Sequence, residues 1–295
     1  MPYYELKFLC LNVLEVEKRF TWQYKGKRTS RAPKCAKTSA AVQNHNERLA
    51  ENNLRRKINT NFIPGDYSLV LDYQLGNQPG SANEVTKIMS NFFRRLKRAL
   101  LKLGQKIKYI YTTETGERGT HIHHHIIMNK IDPAILSKCW PFGRVHISIL
   151  DRSGNYEKLA HYIIKETRRH FRNPEQRFSS KRWNESKNLE QPKVYYRHIK
   201  ADSWKEEPKP LKGWYISKPP VTGVNPITGY AYQFYTMQKI VDRVFPDYEE
   251  VQINAKPTRQ RAHTRSPVTR RPHRKPHVLP RGQERQLSLW PDWKG

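Results

Sequence analysis

The spacing of apolar positions changes period several times along the chain, and each change marks an element. Over Val42 to Thr60, Leu49, Leu54 and Ile58 recur near helical spacing among good helix formers, which predicts a basic helix. Asn61 to Asp66 supplies a turn, and Tyr67 to Leu75, YSLVLDYQL, reads as a strand because it is apolar and suited to a pleated surface. A Gly/Pro/Asn loop over Gly76 to Asn83 separates that strand from a helix predicted over Glu84 to Leu103. A second strand, KIKYIYTTE (Lys106 to Glu114), the turn TGERG and a third strand, THIHHHIIM, make a hairpin. Helical spacing returns after Asn155. The order strand, helix, strand, strand, helix predicts an α+β fold, with an antiparallel sheet and helices packed on one face.

The flanks divide the chain further. Residues 1–60 read as a basic N-terminal arm, with room for one strand, followed by the first helix. Residues 61–171 form the core, and 172–252 supply accessory strands and loops packed on it, among them a strand through Tyr230, Tyr232 and Phe234. Residues 253–295 are rich in Arg, Pro and His and cannot bury enough apolar surface to fold, so they are expected to form a disordered tail.

Composition narrows the function. The chain has 295 residues, enough for a core that houses an enzyme, and 55 basic against 26 acidic residues leave a formal net charge of +29. Such a field attracts polyanions, so nucleic acid is the expected partner. An anionic membrane is disfavoured, because no long amphipathic helix pairs a basic face with a Trp/Phe/Leu face, and no apolar run spans a bilayer. Cys10, Cys35 and Cys139 are odd in number and lack CxxC spacing, which points to a reducing cytoplasm and away from a disulfide framework.

Four histidines in five strand positions are the strongest chemical signal. Alternation puts His121, His123 and His125 on one face and His124 on the other, and imidazoles at i and i+2 on a rigid strand can share one divalent ion. Glu114 ends the neighbouring strand and is the expected carboxylate ligand, provided the hairpin register turns it to the same face; Glu117 in the turn is the substitute. In NYEKLAHYIIKETRR, Tyr156, Leu159, Ala160, Ile163 and Ile164 form an apolar stripe, while Lys158, Tyr162, Lys165 and Arg169 form another. Tyr156 therefore reads as core and Tyr162 as a candidate nucleophile, whose phenolate Lys165 or a metal would favour.

Three blocks, YSLVLDYQL, TETGERGTHIHHHIIMN and LAHYIIKE, resemble in their order the motifs of the HUH rolling-circle replication initiators of small phages and Gram-positive plasmids. The resemblance implies a ferredoxin/RRM-like endonuclease in a bacterial cytoplasm that nicks single-stranded origin DNA. It makes His123 and His125 the metal pair, leaves His121 as a shifted member or third imidazole, and assigns Glu114 as acidic ligand, Tyr162 as nucleophile and Lys165 as supporting cation. It favours Mg2+ or Mn2+, where imidazole ligation alone leaves zinc or iron open. No GxxxxGK[ST] segment occurs, so host helicase and polymerase are expected partners. QLSLW, Gln286, Leu287, Ser288, Leu289 and Trp290, is similar to the peptide by which bacterial proteins bind the sliding clamp. The competing readings are an HUH transposase or relaxase, a nucleic-acid-binding protein without cleavage, and an iron oxygenase, which calls for neither the charge nor the tyrosine helix.

Overall fold

The computed structural model describes residues 3–20, 40–115, 121–172, 181–199, 205–224, 229–240 and 251–253. In chain order the elements are β1 (Tyr3–Cys10), β2 (Val13–Phe20), α1 (Ala40–Asn61), β3 (Tyr67–Asp72), α2 (Ala82–Leu101), β4 (Tyr109–Thr115), β5 (Ile122–Met128), α3 (Pro133–Cys139) and β6 (Val145–Ile149). They continue with α4 (Glu157–Arg172), β7 (Asn184–Glu185), β8 (Lys193–Ile199), β9 (Trp214–Ile216), β10 (Val221–Val224), β11 (Ala231–Lys239) and β12 (Val251–Ile253). The fold is α+β, with two antiparallel sheets and four helices among the described residues. No helix among these residues is long and apolar enough to cross a membrane.

The central sheet runs β12-β6-β3-β5-β4-β7. Tyr67, Leu69 and Leu71 of β3 and Ile122, Ile126 and Met128 of β5 pack against Val85, Met89, Phe92, Leu96 and Leu100 of α2 and Leu136 of α3. Ile110 and Ile127 project from the opposite face into a second cluster with Leu54 and Ile58 of α1, Phe62 just after it, Tyr156 just before α4, and Ala160, Ile163 and Ile164 of α4. The helices thus cover both faces, where one covered face was expected. The reason lies in β5, whose run Ile126, Ile127, Met128 is buried on both sides and needs a partner layer on each. Each such fully buried side chain contributes roughly 1.5–3 kcal/mol by leaving water.

The second sheet, β10-β11-β2-β1-β8 with β9 on β11, packs on the far side of α1. The N-terminal segment holds two strands where the sequence suggested one. Their pairing escapes a hydrophobic pattern because much of what they bury is charged: Arg55 and Arg56 of α1 each place Nε 2.7 Å from the Glu15 carboxylate. Arg56 also binds Glu17 and lies 3.6 Å over the Phe8 ring. Burial alone pushes the Glu15 carboxyl up, but the two guanidiniums outweigh it and hold its pKa below the ordinary range. The α1 helix therefore serves two layers, with leucine and isoleucine toward α4 and the arginines toward β1 and β2.

Candidate metal centre

The β4–β5 hairpin fixes the site. Glu114 pairs directly with His123, and Thr112 with His125, so Glu114, His123 and His125 project from the α1/α4 face of the sheet. Their ligand atoms lie within 4.8 Å of one another, and the trio could hold a metal ion. His123 Nε2 is 2.5 Å from Glu114 Oε1, and His125 Nε2 bonds the same oxygen. Burial raises the Glu114 pKa, yet its bonds to the two imidazoles prevail and bring it down to about 2, so the carboxylate is charged. The bond to Glu114 pushes the His123 pKa up against the opposing effect of burial.

The second oxygen, Glu114 Oε2, is buried with no hydrogen-bond partner. Burying a carboxylate oxygen without a partner is costly, and a cation seated among these three side chains removes that cost. Two imidazole nitrogens and a carboxylate are also a competent donor set for a divalent ion. The residues fit the group.

His124 points to the other face, as alternation requires. Its ring nitrogens lie 2.8 Å from Tyr73 Oη and 2.8 Å from Thr113 Oγ1, so it bridges the end of β3 and the neighbouring strand. Burial, helped by His123 and His125, lowers its pKa to about 3, and the ring stays neutral, one nitrogen donating and the other accepting. This bridge orients the backbone from which His123 and His125 project.

The α4 helix sets the tyrosines apart. Tyr156 is 2% exposed and anchored by its backbone N–H donating to Asn59 Oδ1, whereas Tyr162 is 44% exposed. The Tyr162 ring stands nearly perpendicular to His125, with centroids 5.5 Å apart at 81°. Lys165 lies one turn further along α4 and projects into solvent. Burial, Glu114 and Glu166 push the Tyr162 phenol's pKa above its ordinary value.

Among the remaining named positions, His121 is exposed, just before β5, and contributes its carbonyl to His123 Nδ1 at 3.3 Å but no ligand atom to the trio. Glu117, Cys35 and Gln286 to Trp290 lie outside the described residues. Two residues on the same sheet face were missed by the sequence reading. Asp72 pairs in register with His123, and its Oδ2 lies 2.9 Å from His146 Nε2 of β6. The signal for Asp72 was available, since it continues the alternation of YSLVLD; nothing around His146 marked it. Gly143 holds this corner, because a Cβ there would lie 2.1 Å from the Asp72 carbonyl oxygen.

Residues 66–167, from the approach to β3 through most of α4, match the family model described as replication-associated protein ORF2/G2P. The matched segment contains Glu114, His123, His125 and Tyr162, and it supports a role in replication initiation. Curated proteins and solved structures offer no match.

Proposed function

We propose that the chain is a metal-assisted endonuclease and strand transferase that nicks single-stranded origin DNA through Tyr162 to start rolling-circle replication and rejoins the ends afterwards. The observation that carries this reading is the Tyr162 ring set against His125, a member of the Glu114, His123 and His125 group. The match of this segment to a replication-associated family supplies the biological context.

Glu114, His123 and His125 would hold Mg2+ or Mn2+. When bound, the ion supplies positive charge that polarises a phosphodiester oxygen and offsets the Glu114 charge beside the phenol. Tyr162 Oη then forms a bond to phosphorus as the bond from phosphorus to the 3′ oxygen breaks; the phenol gives up its proton to solvent and the departing oxygen takes one up. One phosphodiester replaces another, so the step needs no energy source, and the 5′ phosphate stays on the protein while the free 3′-hydroxyl primes synthesis. A 3′-hydroxyl attacking the phosphotyrosine reverses the step and rejoins the strand. Lys165, on the same side of α4, serves as a supporting cation for the phosphate. The buried stripe of Tyr156, Ala160, Ile163 and Ile164 fixes the helix so that only Tyr162 faces an incoming strand.

Purified protein incubated with a labelled single-stranded origin library tests the reading. Wild type with Mn2+ should form a covalent protein–DNA band that EDTA abolishes and Tyr162→Phe lacks. DNA binding with no band on any substrate would favour a protein that binds without cleaving.

A further inference from the structure

On the other face of the hairpin, away from the metal centre, α2 and the β4 edge enclose an open cleft of about 540 Å3. Its floor is aromatic. Tyr109 and Tyr111, both half-buried, project toward α2, where Phe93 stacks on Tyr109 at 3.6 Å and 9° and meets Tyr111 at 5.2 Å and 39°. Its wall is cationic, formed by Arg94, Lys97 and Arg98 from the exposed side of α2. None of the three pairs with a carboxylate among the described residues; Arg94 bonds only the neutral Asn91 side chain. The one acid at the rim, Glu185, is already neutralised, since Lys57 Nζ lies 2.5 and 2.6 Å from its two oxygens and Trp183 Nε1 donates to it at 2.9 Å.

Flat rings beside unpaired cations match a nucleotide, which presents a π-face and an anionic phosphate within one repeat. A free phosphate would not use the rings, and an apolar ligand would not use the cations. The cleft is also placed to matter. Tyr111 and Glu114 lie three residues apart on one strand, about 10 Å. Among the described residues β7 covers the β4 edge only at Ile110 and Tyr111. A flexible single strand can pass over this edge from the metal centre into the cleft.

We propose that this cleft binds a nucleotide of the single-stranded DNA flanking the reacting phosphate, its base against Tyr111 and its phosphates on Arg94, Lys97 and Arg98. The assignment rests on the reading of the chain as a protein that acts on single-stranded DNA. The test uses the full chain in EDTA with an oligonucleotide carrying 5-iodouracil, irradiated and mapped by mass spectrometry, alongside an Arg94→Ala, Lys97→Ala, Arg98→Ala variant whose melting is checked to match wild type. Cross-links are expected at Tyr109 or Tyr111 and should fall several-fold in the variant. The slope of log binding constant against log salt should shrink by about 2, at roughly 0.7 per lost phosphate contact. Cross-links that avoid both tyrosines while the oligonucleotide stays bound overturn the proposal. No cleavage is needed, so a chain that cross-links here and never forms a covalent adduct keeps the cleft and loses the nuclease reading, and an adduct without this cross-link does the reverse.

Discussion

Tyr156 and Tyr162 show how much of this site is decided by single side chains. Tyr162 sits on α4 and Tyr156 immediately before it, but Tyr156 is sealed in the α1/α4 cluster and Tyr162 stands beside His125. The Tyr156 hydroxyl reaches the Asp151 carbonyl only at 3.5 Å, so Tyr156→Phe should cost no more than about 1 kcal/mol and leave nicking intact. Glu114 carries the opposite expectation. If it is a ligand, Mn2+ at a hundredfold excess over its dissociation constant should stabilise wild type by about 2.7 kcal/mol, read as a rise in the unfolding midpoint. Glu114→Gln should lose most of that rise, because a neutral amide replaces the charged ligand between His123 and His125. A metal-induced rise of equal size in both proteins would remove Glu114 from the site.

Among the elements, those with a clean period were legible. The stripe on α4, the amphipathic α2 and the alternating β3 bury the residues their spacing marks, because burial there is of apolar groups on one side. The convergence of Glu114 with His123 and His125 depended on register, which residue types do not specify and which the β4–β5 pairing does. The second sheet was not legible: Glu15 and Glu17 occupy positions where a core residue was to be looked for, and their partners, Arg55 and Arg56, lie about forty residues away on a helix that reads as basic and solvated. That interface makes a direct prediction. Glu15→Ala leaves two guanidiniums buried without their carboxylate and should cost about 3–5 kcal/mol, measured by urea unfolding. A cost below 1 kcal/mol would mean that α1 is not held to the second sheet in this way.

For the molecule as a whole, charge governs both stability and partners. Glu15 and Glu5 have folded pKa values below their ordinary 4.5; in each, burial pushes upward and is outweighed by nearby cations, Arg55 and Arg56 for Glu15 and Arg197 and Lys7 for Glu5. A depressed carboxylate contributes stability above its unfolded pKa and loses it as pH falls through the folded value. The unfolding free energy should therefore be flat in these groups near neutrality and fall progressively below about pH 4.5. Asp66, raised by burial against its hydrogen bonds to Ile63 and Lys130, opposes part of that fall. A pH series of urea unfolding on wild type and Glu15→Gln should show a shallower acid limb in the variant.

On the proposed reading, the same excess of basic groups draws DNA to the surface where Tyr162 stands beside His125, which is grouped with Glu114 and His123. Peptide mapping of the covalent adduct formed with Mn2+ and single-stranded origin DNA tests that arrangement most directly. The account predicts a 5′-phosphonucleotide on the peptide containing Tyr162 and nowhere else; the same mass on Tyr156, or on a peptide outside α4, would contradict it.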